Sequence, residues 1–214
     1  MRGALAVVLA LVAGCNSLLG IEDLSLVDAP PPDARVMFEV QEGVADYNLT
    51  KDTFITAMEP TTPHGDAEDL SWTTTNNVHA LLRFDDLFGV GGLPADSTIQ
   101  KATLEVEVLE AGSAVGQLYE VASDWDEATT YNNFGANVGV SSEDRGVQVF
   151  GTLDGSALGK ARIEVTQSVE DWRRNLRPNK GWLFVPADAT VVRIGSSDDL
   201  DIGHHPKLIV EIVP

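Results

Sequence analysis

Trp72 stands in a run of small polar residues, Ser71, Thr73, Thr74, Thr75, Asn76 and Asn77. A flat indole surrounded by hydroxyls and amides suits stacking on the apolar face of a sugar ring, so Trp72 is a candidate ligand platform. The competing reading is a loop anchor. Trp125, Trp172 and Trp182 read as core packing rather than as ligand contacts. A second group is basic. Arg173, Arg174, Arg177 and Lys180 fall within one short stretch of a chain whose formal charge is −19. They either compensate the negative end of a helix dipole or receive a uronate or another anionic glycan. Carboxylates cluster at Asp66, Glu68 and Asp69, at Asp85 and Asp86, at Asp124, Asp126 and Glu127, and at Asp198, Asp199 and Asp201. Calcium takes about six to eight oxygen ligands. The last cluster, followed by Gly203, is the candidate structural calcium loop, although it lacks the later glutamate of such loops.

Signals for catalysis are sparse. The four histidines are His64, His79, His204 and His205. No HExxH, GxSxG or phosphate-cradling GxxxxGK[ST] pattern occurs. Adjacent histidines on a strand point to opposite faces, which disfavours a shared metal at His204 and His205. The residues therefore point away from an enzyme. Paired carboxylates for a polysaccharide lyase or hydrolase remain the third-ranked reading, because acidic residues are abundant. The 33 acidic against 14 basic side chains repel nucleic acid. Within such a field a neutral glycan, or an anionic one bridged by calcium, is as good a ligand as a bare polyanion.

The elements that must position these groups read as short strands. Lys101–Leu109 alternates Ala102, Leu104, Val106 and Val108 with Thr103, Glu105 and Glu107, which is the period of a half-buried strand. Further strands are expected at Thr53–Met58, Val78–Phe84, Gln117–Ala122, Val147–Phe150, Lys160–Val165, Trp182–Val185, Val191–Ile194 and Leu208–Val213. Gly, Pro, Asn and Asp clusters separate them. One short helix is expected over 166–176, capped by Thr166 or Ser168, with Val169, Trp172 and Leu176 on one face. Pro178 bars its continuation. This spacing predicts an all-β antiparallel sandwich.

The N-terminus predicts a compartment. Met1 and Arg2 precede an apolar run from Ala4 to Ala13, too short to span a bilayer and fitted to a signal peptide. Val12-Ala13-Gly14-Cys15 resembles the bacterial lipobox, which implies lipidation of Cys15 and anchoring by acyl chains. The expected divisions are a signal peptide at 1–14, a lipid-anchored linker with Pro30, Pro31 and Pro32 at 15–36, and one domain at 37–214. The protein is expected to be exported and held at the cell envelope, on the outer membrane or cell surface, or to be extracellular. It would meet the membrane through the anchor alone and be a monomer. Cys15 is the only cysteine, so the domain has no disulfide.

The order of segments resembles the DNRLRE domain family, related to the family 96 carbohydrate-binding modules. The segments are Asp52-Thr53-Phe54-Ile55, Leu81-Leu82-Arg83-Phe84-Asp85, Leu93-Pro94-Ala95-Asp96-Ser97-Thr98-Ile99 with Ala102-Thr103-Leu104, and Tyr119 to Glu127 with Thr130-Tyr131-Asn132-Asn133. Val165 to Trp172, Gly181-Trp182 and Pro206 to Val210 complete the series. Tyr131 stands where the family often has tryptophan, and His204-His205 replace an aromatic-arginine pair. The resemblance implies a jelly-roll β-sandwich and a non-catalytic accessory role in binding polysaccharide, with relatives associated with alginate-type polymers. The alternative is a structural or adhesive surface protein with a protein partner.

Overall fold

The computed structural model describes residues 35–213 apart from 89–92, 95 and 114. The expected leader, its Cys15 and the proline stretch lie outside those residues. Among the described residues no helix is long and apolar enough to cross a membrane.

The chain forms an antiparallel two-sheet sandwich. The first sheet holds β1 (Val36–Gln41), β3 (Asp69–Trp72), β5 (Thr98–Glu110), β8 (Gly159–Glu164), β10 (Val192–Gly195) and β11 (Lys207–Val213). The second holds β2 (Thr50–Ile55), β4 (His79–Phe84), β6 (Gly116–Val121), β7 (Arg145–Leu153) and β9 (Trp182–Pro186), in the order β2-β4-β9-β6-β7. Most connections cross from one sheet to the other, as in a jelly roll. One edge of β5 pairs with β8; the other pairs with β11 over Thr98–Glu105 and with β10 at Val108 and Glu110. So β10 and β11 lie end to end, with β3 beyond the first and β1 beyond the second.

Alternation in β5 buries Ala102, Leu104, Val106 and Val108. Ile99 is also buried, three positions before Ala102, where strict alternation would expose one of them. A register shift against β11 between Glu211 and Ile212 absorbs the extra residue, as a β-bulge does. Facing this sheet are Ala80, Leu82 and Phe84 of β4 and Trp182 and Phe184 of β9. Sheet two is apolar on both faces. Its outer face carries Ile55, Leu81, Val121 and Leu183, roofed by Trp125 and Phe134 from the β6–β7 connection. That is why β4 and β9 read as nearly continuous apolar runs. Asp144 ties down the roof. It accepts hydrogen bonds from Ser123 Oγ (2.6 Å), Ser141 N–H (2.9 Å) and Ser141 Oγ (2.5 Å). Gly135 at φ 69° sits against that carboxylate, where a Cβ would collide with it.

The helix α1 (Thr166–Arg173) buries Val169 and Trp172, but it is shorter than expected. Asn175 adopts φ 54°, and the N–H groups of Asn175 and Leu176 reach back to the carbonyls of Trp172 and Asp171. This left-handed cap ends the helix and leaves Leu176 59% exposed, off the buried face. Neither Thr166 nor Ser168 caps the start; the residue before the helix is Val165, and no side-chain cap bond forms. Thr166 Oγ1 instead accepts the Ala102 N–H at 3.0 Å, and Ser168 Oγ accepts Trp182 Nε1–H at 3.2 Å.

Candidate functional site

β3 is a four-residue strand in which Leu70 and Trp72 point inward while Asp69 and Ser71 point outward. Trp72 therefore lies in the core with no exposed surface, its ring stacked on Phe184 at 5.1 Å. Gly116 packs so close to the indole that a Cβ there would lie 2.9 Å from it. The expected stacking platform is thus corrected: Trp72 offers no face to a ligand. Trp125, Trp172 and Trp182 are buried as well.

Of the polar neighbours of Trp72, Thr73 is buried, whereas Thr74, Thr75, Asn76 and Asn77 remain exposed. Thr73 and Val78 form a bridge that closes the β3–β4 loop, and Asn76 and Asn77 take left-handed backbone conformations (φ 60° and 48°). Thr73 Oγ1 donates to Ala189 O at 3.0 Å, fastening the loop to the β9–β10 connection. Beside it runs a groove of about 440 Å³, lined among others by Phe54, Met58, Ser71, Thr75, Asn76 and Arg193. Met58 is 70% exposed, and Phe54 is backed by His64, stacked at 4.1 Å. Asp69 at 3.2 Å and Glu110 at 3.1 Å hold the Arg193 guanidinium. The groove thus sets hydroxyls, an amide and an oriented guanidinium beside two apolar side chains.

The basic stretch is braced rather than open. Arg173 pairs with Glu170 at 2.7 Å. Arg177 bridges Asp171 and Glu120, and Lys180 reaches Asp124 at 2.9 Å and the Ala122 carbonyl at 2.8 Å. Arg174 is exposed at the helix end. Burial pushes the Glu120 carboxyl up, against the pull of Arg177. Here the positive charge serves the carboxylates around it.

The expected calcium loop does not converge. Asp199 accepts the Asp201 N–H at 2.8 Å and meets His204 Nδ1 at 2.9 Å, a bond that raises the His204 pKa. Asp201 accepts the Gly203 N–H at 2.9 Å. Asp198 instead shares the fields of Asp66 and Glu42. Both ring nitrogens of His205 face backbone carbonyls, of Glu42 and Asp199. Among the described residues no three His, Cys, Asp or Glu side chains are already gathered to hold a metal ion.

Sequence reading missed Asp52. It stands on the inward face of β2, opposite Leu82 of β4, and is fully buried. Its Oδ2 accepts the Ser197 N–H at 2.7 Å, while its Oδ1 has no hydrogen-bond partner. Burial pushes its pKa up to about 7, with Asp198 and Glu127 adding to the rise. The signal was present: Thr50, Asp52 and Phe54 share one phase of a strand, so an inward Phe54 implies an inward Asp52. Close to it is a cleft of about 400 Å³ lined by Lys51, Gly65, Asp66, Asp126 and Glu127.

Comparison with known protein families gives no match, and no curated protein matches the chain.

Proposed function

We propose that this is a non-catalytic surface module that binds polysaccharide in the groove between the β3–β4 loop and β10. The observation that carries the reading is the groove lining, with Thr75, Asn76 and Arg193 beside the exposed Met58 and half-buried Phe54. A few fixed polar groups over an apolar floor are what recognition of a polyol requires. Asp69 and Glu59 also line the groove, and the whole chain is strongly acidic. Both favour a neutral glycan over a polyanion. The order of DNRLRE-like segments supports the same role. The lipobox-like residues before Cys15 support display at the cell envelope through a lipid anchor. A glycan array probed with the purified full chain tests the reading. Retention of neutral polysaccharides, weakened by Arg193→Ala, is the expected result; an array on which no glycan is retained would overturn it.

A further inference from the structure

We propose that His64 is a proton-responsive support of the groove: as a neutral imidazole it leaves the Glu59 carboxylate free for a ligand, and as an imidazolium it draws that carboxylate to itself. Both residues belong to the β2–β3 connection, where two turns bring them together. Glu59 O accepts the Thr62 N–H at 3.1 Å, and His64 O accepts the Ala67 N–H at 3.3 Å. The connection is also fastened from outside. Pro60 O accepts the Asn132 N–H at 2.9 Å, and Gly65 packs so close to Glu127 that a Cβ would lie 2.4 Å from the glutamate's own. With the backbone tied on both sides, the parts left to respond are the two side chains.

The imidazole lies flat on Phe54, with ring centroids 4.1 Å apart and planes within 11°. Phe54 itself packs on the core of the sandwich, so the stack sets the plane of His64. A ring nitrogen bonds within that plane, and Nε2 lies 3.3 Å from Glu59 Oε2. At that distance it makes no hydrogen bond, although the nitrogen is shielded from water. The His64 side chain is 14% exposed and that of Glu59 55%, so the carboxylate has the greater freedom to turn. A proton on His64 converts this near contact into a charge-assisted hydrogen bond. Burial holds the His64 pKa below 6.5, against the pull of Glu59, which puts the change on the acid side of neutrality. The other charged groups nearby are occupied or face elsewhere. Arg193 of β10 is held by Asp69 of β3 and Glu110 of β5, and Asp66 lines the separate cleft with Lys51. Phe54, Met58 and Glu59 all line the groove. A ligand hydroxyl that donates to Glu59 therefore loses its acceptor as His64 takes up a proton. That use of the device rests on the glycan reading, whereas the coupling of the two side chains does not.

NMR of the isotope-labelled full chain, titrated from pH 8 to pH 4.5 with no glycan present, tests this apart from the array. The His64 ring should titrate below the ordinary imidazole midpoint, and the Glu59 carboxyl carbon should show a step at that same midpoint. The step should vanish in His64→Gln. Glu59→Gln, a change at an exposed side chain, should move the His64 midpoint lower still, because the carboxylate favours the charged ring. Phe54→Leu removes the plane that aims Nε2 and should shrink the Glu59 step. A Glu59 signal that stays flat through the His64 midpoint would overturn the proposal, and so would a His64 midpoint that Glu59→Gln leaves in place. A histidine that only fills space behind Phe54 would give both of those results.

Discussion

Trp72 of the first sheet stacks on Phe184 of the second, ring on ring at 5.1 Å and within 12° of parallel. The pair spans the sandwich at the end where the groove opens, so the groove wall rests on a ring that no ligand reaches. Trp72→Ala leaves a cavity beneath Phe184 and should cost about 3–5 kcal/mol, read by urea unfolding. Trp72→Phe keeps a ring in place and should cost less. If either variant loses glycan retention without losing stability, Trp72 acts at the surface after all.

Substitutions in the groove should show the opposite pattern. Thr75 and Arg193 are exposed, so Thr75→Ala and Arg193→Ala remove little packing. Each should weaken retention of a bound glycan by about tenfold, the equivalent of about 1.4 kcal/mol, with Tm nearly unchanged. Arg193→Lys should rescue only in part, since an ammonium lacks the planar fork.

What could be read in advance follows from range along the chain. The alternation in β5 is local, and it located the strand and its buried face. β3 escaped because four residues, two of them polar, carry too little period to separate a strand from a polar loop. That same error misplaced Trp72. β1 escaped because Val36–Gln41 adjoins the proline-rich stretch and, among the described residues, pairs with β11 at the far end of the chain. The basic stretch was visible as composition, but Glu120, Asp124 and Asp171, which neutralise it, are placed there by folding. The bond between Asp52 and Ser197 spans 145 positions, beyond any periodic signal.

Glu105 gives a test of asymmetry in a partly buried ion cluster. It sits on the outer face of β5, 6% exposed at the side chain, while Lys160 and Arg162 across the pairing with β8 are 56% and 64% exposed. Burial alone would raise its pKa, but hydrogen bonds from Lys160 (2.6 Å) and Arg162 (2.7 Å) hold it below the usual carboxylate range. Removing the carboxylate leaves two cations that water can reach, so Glu105→Gln should cost about 1 kcal/mol. Removing both cations strands a buried charge, so Lys160→Met with Arg162→Met should cost about 3 kcal/mol or more. Equal costs in urea unfolding would show that the carboxylate is better solvated than its burial implies.

His79 sets a pH dependence of definite sign. The imidazole sits at the start of β4, with Nδ1 buried and without a hydrogen-bond partner. Burial lowers its pKa from 6.5 to about 4; Arg145 lowers it further, against a backbone hydrogen bond at Phe184. The folded state thus binds a proton less readily than the unfolded chain. The stability this contributes is complete above pH 6.5, falls as pH drops toward 4, and is gone below that. The span corresponds to at most about 3 kcal/mol. Asp52, raised from 3.8 to about 7, slopes the other way over the same range, so the raw profile of the parent mixes the two. The difference between the parent and His79→Gln isolates the histidine. Unfolding free energies at pH 7.5, 6 and 4.5 should therefore show the parent losing ground to His79→Gln with each step toward acid. Parallel profiles would mean that His79 titrates as a solvated imidazole.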